Sequence, residues 1–138
     1  MDNAKAAAYI RRWEGLEYLP YKCPTGHLTI GYGHNLERGI SKEVAELLLM
    51  QDIEIALKQV KNVFQFWPKL TDARLFVLVD MCYNLGLTNL CGFKKMIAAL
   101  QAGDYTKAAK EMLASKWAAQ VGRRAVENAR MMETGKWI

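Results

Sequence analysis

Apolar positions in this chain keep two different rhythms. In residues 3–14 the residues Ala6, Tyr9, Ile10 and Trp13 recur at spacings of three and four, the mark of one face of a helix. Gly15 follows as a stop, which makes Glu14 the last helical residue. From Leu16 to His34 the rhythm changes to aromatic and β-branched residues, with Pro20 and a Cys-Pro-Thr-Gly turn at 23–26. This predicts a small hairpin or sheet. Alternation then sets Leu28, Ile30 and Tyr32 on one side and Thr29, Gly31 and Gly33 on the other. The small residues on that second side leave room for a ligand to approach the backbone.

The helical rhythm resumes after Ser41, a predicted N-cap, with Val44, Leu48, Ile53, Ala56, Leu57, Val60 and Phe64 at spacings of mostly three and four. Trp67-Pro68 breaks it. Thr71 is then placed to cap a second helix that is apolar almost all round and that ends at Gly86, a composition suited to the middle of a bundle. Shorter helices are predicted from about Phe93, from Tyr105 after a capping Asp104, and from about Arg123, with Gly103 and Gly122 between them. No internal repeat or low-complexity linker interrupts the series. The expected fold class is α+β and mainly helical, in one domain spanning 1–138. A small N-terminal β-hairpin lobe (about 14–40) is joined by a long helix (about 41–66) to a C-terminal helical bundle lobe (about 71–138, together with the first helix).

Composition narrows the function classes. With 138 residues and 51% apolar content, the chain can bury a real core. Its most apolar stretch, Leu75 to Leu85, is interrupted by Asp80 and is far shorter than the roughly 20 residues that span a bilayer, so stable membrane insertion is not expected. The first residues lack a long apolar core of the signal-peptide kind, which points to synthesis in the cytoplasm. Cys23, Cys82 and Cys91 are odd in number and contain no Cys-x-x-Cys pair, so free thiols are expected, with no metal site and no cofactor. A net charge of +5 favours an anionic polymer, either cell wall or nucleic acid.

The chemistry concentrates in the segment EGLEYLPYKCPTGHLTIGYGH at 14–34. Its E-G-L, Y-K, T-G and T-I-G-Y-G-H elements resemble the catalytic segment of the phage-type lysozymes, glycoside hydrolase family 24. That family's signature is a Glu, eight residues, an Asp or sometimes a Cys, five residues, and a Thr. Glu14, Cys23 and Thr29 meet the spacing without a gap. VDMCYNLG at 79–86, GF at 92–93 and SKWAAQVGRRA at 115–125 resemble the family's C-terminal lobe in the same order, so that the likeness covers nearly the whole chain. The interval between His34 and Ser41 is short by comparison with the best-known member, and a smaller N-terminal lobe is expected.

The resemblance implies a lysozyme-like fold and a muramidase that hydrolyses the β-1,4 bond between N-acetylmuramic acid and N-acetylglucosamine. Such cleavage needs a proton for the leaving oxygen and a group that assists attack at the anomeric carbon. Glu14 suits the first task, because the negative end of a helix favours a protonated carboxyl. Cys23 is the departure from the usual carboxylate: an ordinary thiol is mostly neutral at pH 7. It is compatible with three roles: positioning the attacking water together with Thr29, acting as a thiolate nucleophile, or filling the turn passively. The resemblance also implies sugar contacts at Asn35 and Tyr83, a structural pairing of His34 with Asp52, and an arginine, Arg124, near the catalytic glutamate.

The expected partner is therefore the glycan strand of peptidoglycan, bound by a monomer that needs no nucleic acid and reaches the wall from the host cytoplasm once the membrane is permeabilised. Two alternatives stay open at this stage. One is a lytic transglycosylase, in which the sugar's own hydroxyl closes an anhydro ring. The other is a non-catalytic basic module that binds wall or nucleic acid through the side of the last helix carrying Arg123, Arg124 and Arg130.

Overall fold

The computed structural model describes residues 1–138. Helix α1 (Asn3–Glu14) is followed by strands β1 (Glu17–Lys22), β2 (Leu28–Gly31) and β3 (His34–Asn35), and by a 3-10 turn at Leu36–Arg38; another short 3-10 segment, Trp67–Lys69, lies farther along. Helices α2 (Lys42–Val63), α3 (Asp72–Leu85), α4 (Leu87–Cys91), α5 (Lys94–Gln101), α6 (Tyr105–Leu113), α7 (Lys116–Val121) and α8 (Arg123–Thr134) complete the chain. The class is mainly helical α+β, as the residue pattern predicts. Two compact units divide it, Met1–Leu47 and Leu48–Ile138. The first unit holds α1 together with the sheet.

The predicted caps are present as hydrogen bonds. Ser41 Oγ accepts from Val44 N at 3.2 Å, Thr71 Oγ1 from Arg74 N at 3.4 Å, and Asp104 Oδ1 from Lys107 N at 2.9 Å. Each satisfies an amide that the first helical turn leaves without a partner. Asp2 caps α1 in the same way, and Ser115 caps α7, a short helix that the apolar rhythm did not signal.

In the first unit the three strands form an antiparallel sheet in the order β1-β2-β3. Tyr21 pairs with Thr29, Thr29 with Asn35, and Ile30 with His34. The sheet is thus a three-stranded meander, in line with the small hairpin or sheet expected. Thr29 is its buried member, while Leu28 and Tyr32 remain exposed.

The core lies in the second unit. Val60, Val77, Leu78, Met81, Leu90, Met96, Met112 and Met132 are among the buried side chains. The all-round apolar α3 supplies Ala73, Val77, Leu78, Val79, Met81 and Cys82 to it. Two polar contacts pin the surrounding helices to α3. Trp117 Nε1 donates to Asn84 Oδ1 at 2.8 Å, and Arg74 donates to the carbonyls of Met132 and Glu133 at 2.7 and 2.9 Å. Arg74 thereby closes the C-terminus of α8, where carbonyls lack helical partners and a cation is favoured.

Candidate active site

Glu14 ends α1 and is exposed. The helix stops there because Gly15 adopts φ +70 and returns its amide to Arg11 O at 3.2 Å. The Glu14 carboxyl lies against the connection between β2 and β3: a methyl group built on Gly33 would come within 2.7 Å of Glu14 Oε2. One turn back along α1, the Arg11 guanidinium sits 5.9 Å from the centre of the Tyr32 ring. Two neighbouring residues of α1 on one face therefore meet the two residues of one turn.

Cys23 opens the turn between β1 and β2, closed by Gly26 N donating to Cys23 O at 2.8 Å. Its Sγ lies 3.1 Å from Thr25 Oγ1. That hydroxyl, with the backbone amides of the turn, stabilises the thiolate and holds the Cys23 pKa down to about 7. Turn geometry thus lowers the thiol pKa from its ordinary value. Thr25 is a residue that the sequence reading passed over, although a hydroxyl two residues beyond a turn-opening side chain is a local signal.

Thr29 is 4% exposed and donates from Oγ1 to His27 O at 2.9 Å. The same carbonyl accepts from Cys23 N at 2.9 Å. Beside this pair, His27 Nδ1 meets Glu37 Oε2 at 2.7 Å. The Glu37 carboxylate raises the His27 pKa, and the imidazole in turn lowers that of Glu37. This ion pair ties the β1–β2 turn to the 3-10 turn and was not foreseen, since ten residues separate the partners with no periodic signal.

Asn35 stands across the strand pair from Thr29. Its Oδ1 accepts from Glu37 N at 2.9 Å and so caps the 3-10 turn, while its amide nitrogen is not used in the cap. His34 Nε2 lies 3.1 Å from Gly39 O.

In the second unit, Tyr83 is half exposed on α3 and lines a hollow of about 350 Å³ with Asp52, Gln59 and Cys82. Arg124 engages Asp80 through both ends of its fork, Nε to Oδ2 at 3.0 Å and Nη2 to Oδ1 at 2.6 Å. Asp80 Oδ2 also accepts from the buried Asn128 at 2.7 Å. Asp80 raises the pKa of Arg124 further. Within the second unit Asp80 is thus the partner of Arg124. A larger hollow, about 670 Å³, is lined by Phe93, Trp117, Lys94, Lys95 and Lys116 among others. No cluster of His, Cys, Asp and Glu suited to a metal ion occurs, and no helix is long and apolar enough to cross a membrane.

The chain is 32% identical over 119 residues to the endolysin of Acyrthosiphon pisum secondary endosymbiont phage 1, covering 83% of this chain and 78% of that protein. It is 25% identical over 152 residues to probable T4-type lysozyme 1 of Dictyostelium discoideum, covering 88% and 89%. A 25% identical match over 162 residues to the pre-baseplate central spike protein Gp5 of Enterobacteria phage T4 covers 96% of this chain and 28% of that protein. The family model described as phage lysozyme matches residues 11–133, from the last turn of α1 through almost all of α8. With both the strand-and-turn segment and the helical bundle inside that match, the chain belongs to the phage lysozyme family and is a lysozyme, an enzyme that hydrolyses peptidoglycan.

Proposed function

We propose that this lysozyme cleaves the β-1,4 bond between N-acetylmuramic acid and N-acetylglucosamine, with Glu14 as general acid and a water held by Cys23 and Thr29 as the attacking group. The observation that carries the reading is the shared carbonyl of His27, which fixes the backbone of Cys23 and the hydroxyl of Thr29 as one unit. With its proton committed to His27 O, Thr29 Oγ1 offers only lone pairs and accepts one hydrogen of a water. Cys23, with its pKa at about 7, is thiolate in about half of the molecules at neutral pH and accepts the other.

The steps balance. Glu14 gives its proton to the glycosidic oxygen as the bond to the anomeric carbon breaks, and the electron pair of that bond stays on the oxygen. The water oxygen bonds to the anomeric carbon and its proton passes to the thiolate. The thiolate also supplies negative charge near an oxocarbenium-like transition state, the task that a carboxylate performs in most such enzymes. The unused amide nitrogen of Asn35 suits a sugar hydroxyl or N-acetyl carbonyl, and the exposed ring of Tyr83 suits the face of a pyranose. The same proposal has the enzyme act as a monomer on the host wall from the cytoplasmic side once the membrane is permeabilised; the endolysin relative supports the action on the wall.

Release of reducing ends from purified peptidoglycan tests the assignment. Glu14→Gln is expected to lower the rate on the order of 10³-fold while sedimentation with the insoluble wall is retained, the usual scale for loss of a general acid. A Glu14→Gln enzyme with near wild-type rates would remove Glu14 from the mechanism.

A further inference from the structure

We infer that Gly33 is a positioning residue for the catalytic acid: the missing side chain at 33 is the space in which the Glu14 carboxyl sits. The inference rests on the assignment of Glu14 given above and goes one step beyond it. A methyl group at position 33 would lie 2.7 Å from Glu14 Oε2, 3.0 Å from Cδ and 3.6 Å from Cγ, its three nearest neighbours. A carbon atom cannot approach an oxygen so closely, so one of them must move. The backbone at Gly33 is held in the β2–β3 connection by the pairing of Ile30 with His34, whereas the carboxyl is the far end of a flexible side chain. The displacement therefore falls on the one group whose position governs proton transfer.

Other glycines of the same unit separate this effect from backbone strain. Gly33 adopts φ +76, where any L side chain is strained, but so does Gly39 at φ +74. A methyl group at Gly39 meets nothing within 4 Å. Gly39→Ala thus puts a side chain at positive φ without the collision. The Arg11 guanidinium, 5.9 Å from the centre of the Tyr32 ring, places the same turn of α1 beside the same connection.

The test joins kinetics with a stability cycle. Gly33→Ala is expected to lower kcat on the order of 100-fold with KM within about twofold, the scale of a reacting group displaced by about an ångström. Gly39→Ala is expected to change kcat by less than about threefold, as a positive-φ substitution whose side chain meets no other group acts mainly on stability. Gly33→Asn, a residue better tolerated at positive φ, brings in the same carbon and should share the kcat defect. Urea unfolding of Gly33→Ala in the wild-type and Glu14→Ala backgrounds gives a readout independent of activity. Removing the carboxyl is expected to shrink the loss in unfolding midpoint that Gly33→Ala causes. Equal losses in the two backgrounds, failure of both position-33 variants to fold even with Glu14→Ala, or a kcat defect as large in Gly39→Ala would each overturn the inference. An active Glu14→Ala enzyme would overturn the acid assignment instead and leave the stability coupling standing.

Discussion

At the scale of single residues, the thiol of Cys23 is the group whose behaviour the fold changes most. An isolated cysteine titrates well above neutrality, yet here the Thr25 hydroxyl at 3.1 Å holds it down to about 7. Only the thiolate reacts with alkylating agents. The rate of labelling by iodoacetamide should therefore rise about tenfold per pH unit below 7 and level off above it. In Thr25→Val the midpoint should move upward, because the stabilising hydroxyl is gone while the turn keeps a β-branched residue. A labelling midpoint that stays unchanged in Thr25→Val would assign the acidity to the backbone amides instead. The candidate chemistry itself was legible in the sequence, since Glu14, Cys23 and Thr29 follow a spacing of residue types that a hairpin can bring together. The ionisation of Cys23 was not, because it depends on where one hydroxyl points.

At the scale of elements, the turns decide how the site is held. The β1–β2 turn carries Cys23, Thr25 and His27, and its anchor is the pair of His27 with Glu37 in the 3-10 turn. Both side chains are about half exposed, so the pair adds little to overall stability; its consequence is local. The pair raises the pKa of His27, so its contribution is complete below the ordinary value of 6.5 and is lost as pH rises through the raised one. Glu37→Gln should return the His27 titration, followed by the NMR shift of its ring protons, downward toward 6.5. An unmoved His27 titration would mean that the pair does not form in solution.

Capping residues were readable in advance because a cap acts across three positions: Ser41, Thr71 and Asp104 each precede an apolar run that needs an amide satisfied. Strand β3, only two residues long, and the short helices α4 and α7 were not readable, since neither a two-residue strand nor a helix of five or six residues completes an apolar period.

At the scale of the whole molecule, an apolar α3 surrounded by amphipathic helices forms the core of the second unit, and its composition alone marked it as central. The contacts that fasten the bundle were hidden. Arg74 reaches carbonyls 58 and 59 positions away, and Arg124 reaches an aspartate 44 positions away. Nothing in a single sequence says which of many charged residues will meet. The net charge of +5 agrees with an anionic polymer as substrate, and family membership makes that polymer peptidoglycan.

The central claim concerns the bond cut and the fate of its oxygen, and the masses of the products test it most directly. Digestion of purified peptidoglycan in water enriched in oxygen-18, followed by mass spectrometry of the muropeptides, should give fragments with ordinary reducing N-acetylmuramic acid ends carrying one heavy oxygen. Fragments lighter by one water, with 1,6-anhydro ends and no label, would contradict the account and place the chemistry among the transglycosylases.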